Sequence, residues 1–161
     1  MNRTMTLRIA NMIGAAGILL TAAVGVARAG DIEDVRDLFE QQVQAENAHD
    51  ISKFGAVIAP GTREYANAVT LVSRAGKFVG REAVLQRFEG YFKGTWKLDP
   101  DWGQLTVTKI GHDTMHLLAP TKITLGASGK DPQTLSFFVN EVAIRTPEGW
   151  RFTTIIPVLT Q

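Results

Sequence analysis

Two groups of side chains in this chain are of types that could do chemistry. Glu64, Tyr65 and Asn67 put a carboxylate, a phenol and an amide within four consecutive positions. A carboxylate moves protons usefully when burial raises its pKa. Left in water beside Arg63, it is only a solvated glutamate. Asn140 and Thr154 form the second group, each in a run of strand-forming residues near the C-terminal end. If Phe138, Asn140, Val142 and Ile144 share an inward face, and Trp150, Phe152, Thr154 and Ile156 share another, both polar groups sit on an apolar wall. There they either recognise a ligand or are satisfied by backbone or buried water.

Other chemistries are poorly supplied. His49, His112 and His116 are far apart in the chain and lack the spacing of metal ligands. In the run Thr114 to Leu125, Met115, Leu117 and Ala119 make the more apolar side, which leaves His116 with Leu118 on the other. The chain has no cysteine, so thiol catalysis, thiolate metal sites and disulfides are all excluded. No Gly-x-Ser-x-Gly elbow is present, and Gly126-Ala127-Ser128-Gly129-Lys130 lacks the spacing of a phosphate loop. We expect no bound metal and no cofactor.

These residues sit behind a leader-like segment. Arg3 and Arg8 precede an uncharged run from Ile9 to Ala27, which ends on Ala27-Arg28-Ala29. The pattern predicts a signal peptide over residues 1–29, cut after Ala29, and a periplasmic or secreted mature domain over 30–161. Without the leader the chain has fourteen basic against sixteen acidic residues, a net charge of about −2. A weakly acidic domain with scattered lysines carries no footprint for nucleic acid. No second apolar segment approaches a membrane span, so no membrane contact is expected after cleavage.

The elements that must position the candidates follow from periodicity. Ile32, Val35, Leu38, Phe39 and Val43 form a helical stripe, with Glu33, Asp37, Glu40 and Glu46 assigned elsewhere on that helix. Asp50 reads as the cap of a short second helix carrying Ile51, Phe54, Val57 and Ile58. Strand character runs from Arg63 to Val72, turns through Ser73–Lys77 and returns at Phe78-Val79. A third helix spans about Arg81 to Lys93, and Asp99-Pro100-Asp101 reads as a connecting loop. Four strands complete the chain: Leu105–Ile110, Thr114–Leu125 with a bend or bulge at Pro120, Thr134–Arg145, and Trp150–Val158.

Three short motifs recur in this order in a known family. They are Ala48-His49-Asp50 at the end of the first helix, Gly76-Lys77-Phe78-Val79-Gly80-Arg81-Glu82-Ala83 from hairpin to third helix, and Asn140 to Phe152 with its Gly149-Trp150 turn. The chain resembles the SnoaL-like, ketosteroid isomerase-like branch of the nuclear transport factor 2-like superfamily over essentially all of residues 30–161. The resemblance implies an α+β fold. In it a curved, mixed but mostly antiparallel sheet wraps three helices into a cone, the cystatin-like roll.

It also implies a carboxylate base from about the region of Glu64, with Tyr65 nearby. The first helix has no tyrosine where the isomerases place their oxyanion donor, and Thr153-Thr154-Ile155-Ile156 stands where relatives carry histidine or serine. The leading expectation is therefore a secreted domain that binds a small apolar molecule, with Tyr65, Asn67, Asn140 and Thr154 as contacts. The alternatives are an isomerase, cyclase or dehydratase on the same scaffold using Glu64, Tyr65 or Asn140, and an association module whose pocket is unused. A carboxylate or histidine inside the cone, with a group to orient it, separates the enzyme from the others. Phe137 and Val139, taken as outward, predict a homodimer through the convex face of the sheet.

Overall fold

The computed structural model describes residues 26–65 and 67–160, with side chains from Gly30 onward. The expected signal segment lies outside the described residues up to position 25. Three helices, α1 (Val26–Asn47), α2 (Ile51–Val57) and α3 (Arg81–Tyr91), accompany seven strands. The strands are β1 (Thr70–Ser73), β2 (Gly76–Val79), β3 (Thr95–Pro100), β4 (Thr106–Gly111), β5 (Thr114–Gly126), β6 (Gln133–Thr146) and β7 (Gly149–Leu159). They form one curved sheet in the order β2-β1-β7-β6-β5-β3, with β4 beside β3 on the same edge of β5. Every pairing is antiparallel except β1 with β7. This is the expected α+β fold, and its core lies between the helices and the inner face of the sheet.

Local chemistry explains the helix junctions. Asp50 caps α2, its side chain accepting from the Lys53 N–H at 3.0 Å. Arg81, at the start of α3, donates to the carbonyls of Gly55, Ile58 and Ala59 at 2.7–3.0 Å and so ties α3 to the end of α2. Asn47, the last residue of α1, holds β3 by both backbone groups of Leu98, donating at 3.0 Å and accepting at 2.7 Å. Gly94 leads into β3 so close to β5 that a Cβ there would collide with the Gly126 carbonyl.

Several elements differ from the sequence reading. Only Thr70–Val72 of the Arg63–Val72 run is strand, because the described residues before it, 62–65 and 67–68, lie in turns with bonds from Tyr65 N–H to Thr62 O and Ala68 N–H to Tyr65 O. Asp99-Pro100 ends a strand rather than making a loop. Trp96 and Leu98 alternate with Lys97 and Asp99 in the period-2 pattern of a short edge strand. Pro120 causes no bulge. It falls where β5 exchanges β4 for β3 as edge partner, so its missing N–H leaves the β5–β6 ladder unbroken.

The phase of β6 is the opposite of the one expected. Phe137, Val139, Glu141 and Ala143 face inward and are buried, while Asn140, Val142 and Ile144 are half-buried and Phe138 is exposed on the outside. Phe137 and Val139 therefore cannot form the convex surface assigned to a dimer. In β7 the expected phase holds for Trp150 and Phe152 and then inverts. Val142 pairs with Thr154 but Ala143 with Phe152, which leaves Thr153 as a bulge residue. From there Ile155 points inward and Thr154 outward.

Candidate functional site

The inner face of β6 carries one buried charged side chain, Glu141, and it is fully shut off from solvent. Its neighbours across the ladders are Leu117 on β5 and Ile155 on β7, so the sheet gives it apolar walls and no counter-ion. Partners come from α1. Val35, Leu38, Phe39, Gln42 and Glu46 lie on the buried face of that helix, and Gln42 and Glu46 occupy the turns above Glu141. Gln42 Nε2 donates to Glu141 Oε1 at 2.7 Å and to Glu46 Oε1 at 2.9 Å. Trp96 Nε1 donates to the other oxygen of Glu46, Oε2, at 2.8 Å. The bond from Asn47 to Leu98 sets the register that brings Trp96 there.

Electrostatics follow from this geometry. Burial pushes Glu46 up to about 7, with the hydrogen bonds from Trp96 and Gln42 pulling the other way. Burial also raises Glu141 well above the usual carboxylate range; the Gln42 bond opposes the rise and the charge of Glu46 adds to it. Burial thus favours the protonated form of Glu141, and near neutral pH Glu46 is divided between its two forms. Gln42 Oε1 and Glu141 Oε2 are buried and have no hydrogen-bond partner among the described residues.

A funnel leads to these groups. Its floor is a space of about 30 Å³ bounded by Gln42, Glu46, Glu141, Leu71, Leu98 and Val139, among others. Ser73, Tyr91, Trp96, Ile123 and Pro157 continue from the floor into a wider mouth of about 400 Å³, completed by Arg74, Ala75, Arg87, Leu125 and Phe137. The mouth volume suits a small molecule, and most of its wall is apolar. A hollow of about 830 Å³ lies elsewhere, around the start of α3, but its acids Glu82 and Glu89 are exposed. The smaller funnel holds the perturbed carboxylates and is the candidate site.

The residues nominated from sequence do not gather there. Glu64 and Asn67 are exposed, and Tyr65 packs half-buried against the core without lining the funnel. Asn140 faces outward and donates to the carbonyls of Phe138 at 3.1 Å and Ile156 at 3.4 Å. Thr154 is outward as well. Among the described residues no group of three or more His, Asp or Glu side chains is arranged to hold a metal. Gln42, Glu46 and Glu141 were missed, although one signal was available for α1. Positions 35, 39, 42 and 46 lie on one helical face, so the stripe of Val35 and Phe39 runs on into Gln42 and Glu46.

No family model matches the sequence, and no curated protein matches it. Solved structures do match the fold. A Streptomyces avermitilis protein, described as a candidate dehydratase of the nuclear transport factor 2-like family, superimposes with a TM-score of 0.71 at 19% identity, over 83% of this chain and 99% of that one. A candidate aromatic ring hydroxylase from Novosphingobium aromaticivorans gives 0.71 at 16% identity, over 83% and 91%. A protein with a cystatin-like fold from the same species gives 0.68 at 16% identity, over 91% and 93%. The architecture is thus the nuclear transport factor 2-like, cystatin-like fold.

Proposed function

We propose that this chain uses its nuclear transport factor 2-like fold as an exported acid–base enzyme, moving a proton on a small, mostly apolar molecule held in the funnel. One observation carries the reading: Glu46, raised to about 7 by burial, stands beside a second buried glutamate and is oriented by Gln42 and Trp96. A general base works best with a pKa near the operating pH. Ionised Glu46 takes a proton from a carbon next to a carbonyl. Glu141, whose protonated form burial favours, donates a hydrogen bond to the carbonyl oxygen as negative charge develops there. Returned to a different carbon, the proton completes an isomerisation; delivered to a β-hydroxyl, it completes a dehydration. The candidate dehydratase among the similar folds agrees with this class of chemistry. The leader-like start of the sequence supports action outside the cytoplasm.

Deuterium uptake tests the reading. A panel of small cyclic ketones is incubated with the protein in D₂O, and exchange at the α-carbons is followed by mass spectrometry. Wild type should accelerate exchange, with a rate that rises through about pH 7 as Glu46 ionises. Glu46→Gln should lose on the order of 10²–10⁴-fold. Ketones that bind yet exchange no faster than in buffer would overturn the enzyme reading and leave a binding protein.

A further inference from the structure

The mouth of the funnel holds a cation without a counter-ion among the described residues. Arg87, on α3, lays its guanidinium over the Tyr91 ring at 4.1 Å and over Phe78 at 5.4 Å. Its Nε is buried without a hydrogen-bond partner, and no carboxylate among the described residues pairs with it. Among the described residues the other half-buried arginines, Arg36, Arg81 and Arg151, all find carbonyl oxygens. A stacked, partly desolvated guanidinium is a preformed fork for a planar anion, and leaving it unpaired is costly. The charge faces a cavity whose wall is mostly apolar, with Arg74 also at the rim.

The stack also gives the site a direction. Tyr91 lies against Trp96 with ring centroids 4.4 Å apart and planes within 15°, and Trp96 bonds Glu46. Arg87 and Glu46 are therefore the two ends of one aromatic column. A negative group is attracted at the mouth and repelled at the floor, where Glu46 ionises.

We infer that the molecule bound in this funnel is a carboxylic acid with an apolar body. Its carboxylate sits on Arg87, the body lies along Tyr91 and Trp96, and the reacting end reaches Glu46. This inference rests on the acid–base reading for the role of the far end, but the anion site itself does not.

The test uses a matched pair of probes, 4-phenylbutyrate and 4-phenylbutanol, titrated into the whole protein by calorimetry. Wild type should prefer the acid by on the order of 10- to 100-fold, as expected for charge-assisted hydrogen bonds. Arg87→Met keeps the contact with Tyr91 but removes the charge, and should abolish the preference. Arg87→Lys keeps the charge without the planar fork and should retain only part of it. Equal binding of acid and alcohol by wild type overturns the inference whatever the variants do. A preference that survives in Arg87→Met overturns it as well. Glu46→Gln should leave the preference intact while losing deuterium exchange, so failure of the anion site and failure of the acid–base chemistry are read separately.

Discussion

The two faces of β6 carry similar polar groups in opposite circumstances. On the outside, Asn140 reaches two nearby carbonyls and keeps some contact with solvent. On the inside, one residue further along, Glu141 is shut off from solvent and leaves one oxygen unpartnered. The outer group settles its hydrogen bonds locally and is chemically ordinary. The inner one depends on a helix almost a hundred positions away in sequence, and burial raises its pKa well above the usual carboxylate range. Position along the strand matters less than face: a shift of one residue separates a surface amide from a buried carboxyl group in an apolar cone.

The sharpest way to break this comparison is to place the same charge on each face. Val139→Glu sets an unpaired carboxylate in the core beside Glu46 and Glu141, and should cost more than about 4 kcal/mol or prevent folding. Phe138→Glu, its neighbour on the exposed side, should change stability by about 1 kcal/mol or less. Urea denaturation reads both, and sedimentation of Phe138→Glu against wild type also shows whether the outer face pairs two copies. Tolerance of Val139→Glu would mean that Val139 does not face the core and that β6 runs in the opposite phase.

Next in size is a pH effect confined to the inner face. Glu46 holds its proton more tightly in the folded state than at its ordinary value of 4.5. Its contribution to stability is therefore complete below about pH 4.5 and is lost as pH rises through about 7. A displacement of that size is worth roughly 3 kcal/mol. Denaturation midpoints at pH 4, 5.5 and 7.5 should fall for wild type relative to Glu46→Gln, which lacks the titration and should be the more stable protein at pH 7.5 even as it loses activity. Parallel curves for the two proteins would show that Glu46 titrates as if in water.

The same contrast explains what could be read from the sequence. The three helices, the hairpin and the long strands announce themselves because their apolar residues repeat at 3.6 or 2 positions. Asp50 capping α2 and the buried Trp150 follow from equally local rules. The site broke those rules. A charged residue in a half-buried strand ordinarily marks the wet face, so Glu141 and Arg145 together pointed the β6 pattern outward, while Phe138, Val142 and Ile144 made the other face look like core. In α1 the carboxylate of Glu46 likewise argued for solvent. The bulge at Thr153 hid a second inversion, since nothing in Thr153-Thr154-Ile155 marks where the ladder slips. Functional sites are where pattern and placement are expected to disagree, because the fold tolerates a local cost there.

The smallest expected effect belongs to the outer face and tests whether it is as inert as it looks. Asn140 makes one bond of ordinary length and one at 3.4 Å, both to carbonyls that already serve the sheet or meet solvent. Removing the amide leaves no buried group stranded, so Asn140→Ala should cost below about 1 kcal/mol. Thr154→Ala should behave alike, since its side chain faces outward between Thr70 and Val142 in the ladders. Neither change touches the funnel. Affinity for 4-phenylbutyrate and deuterium exchange should therefore stay at wild-type levels in both variants. A tenfold loss of either with the fold intact would mean that the outer face contributes to the site, and the division of labour between the two sides of β6 would have to be abandoned.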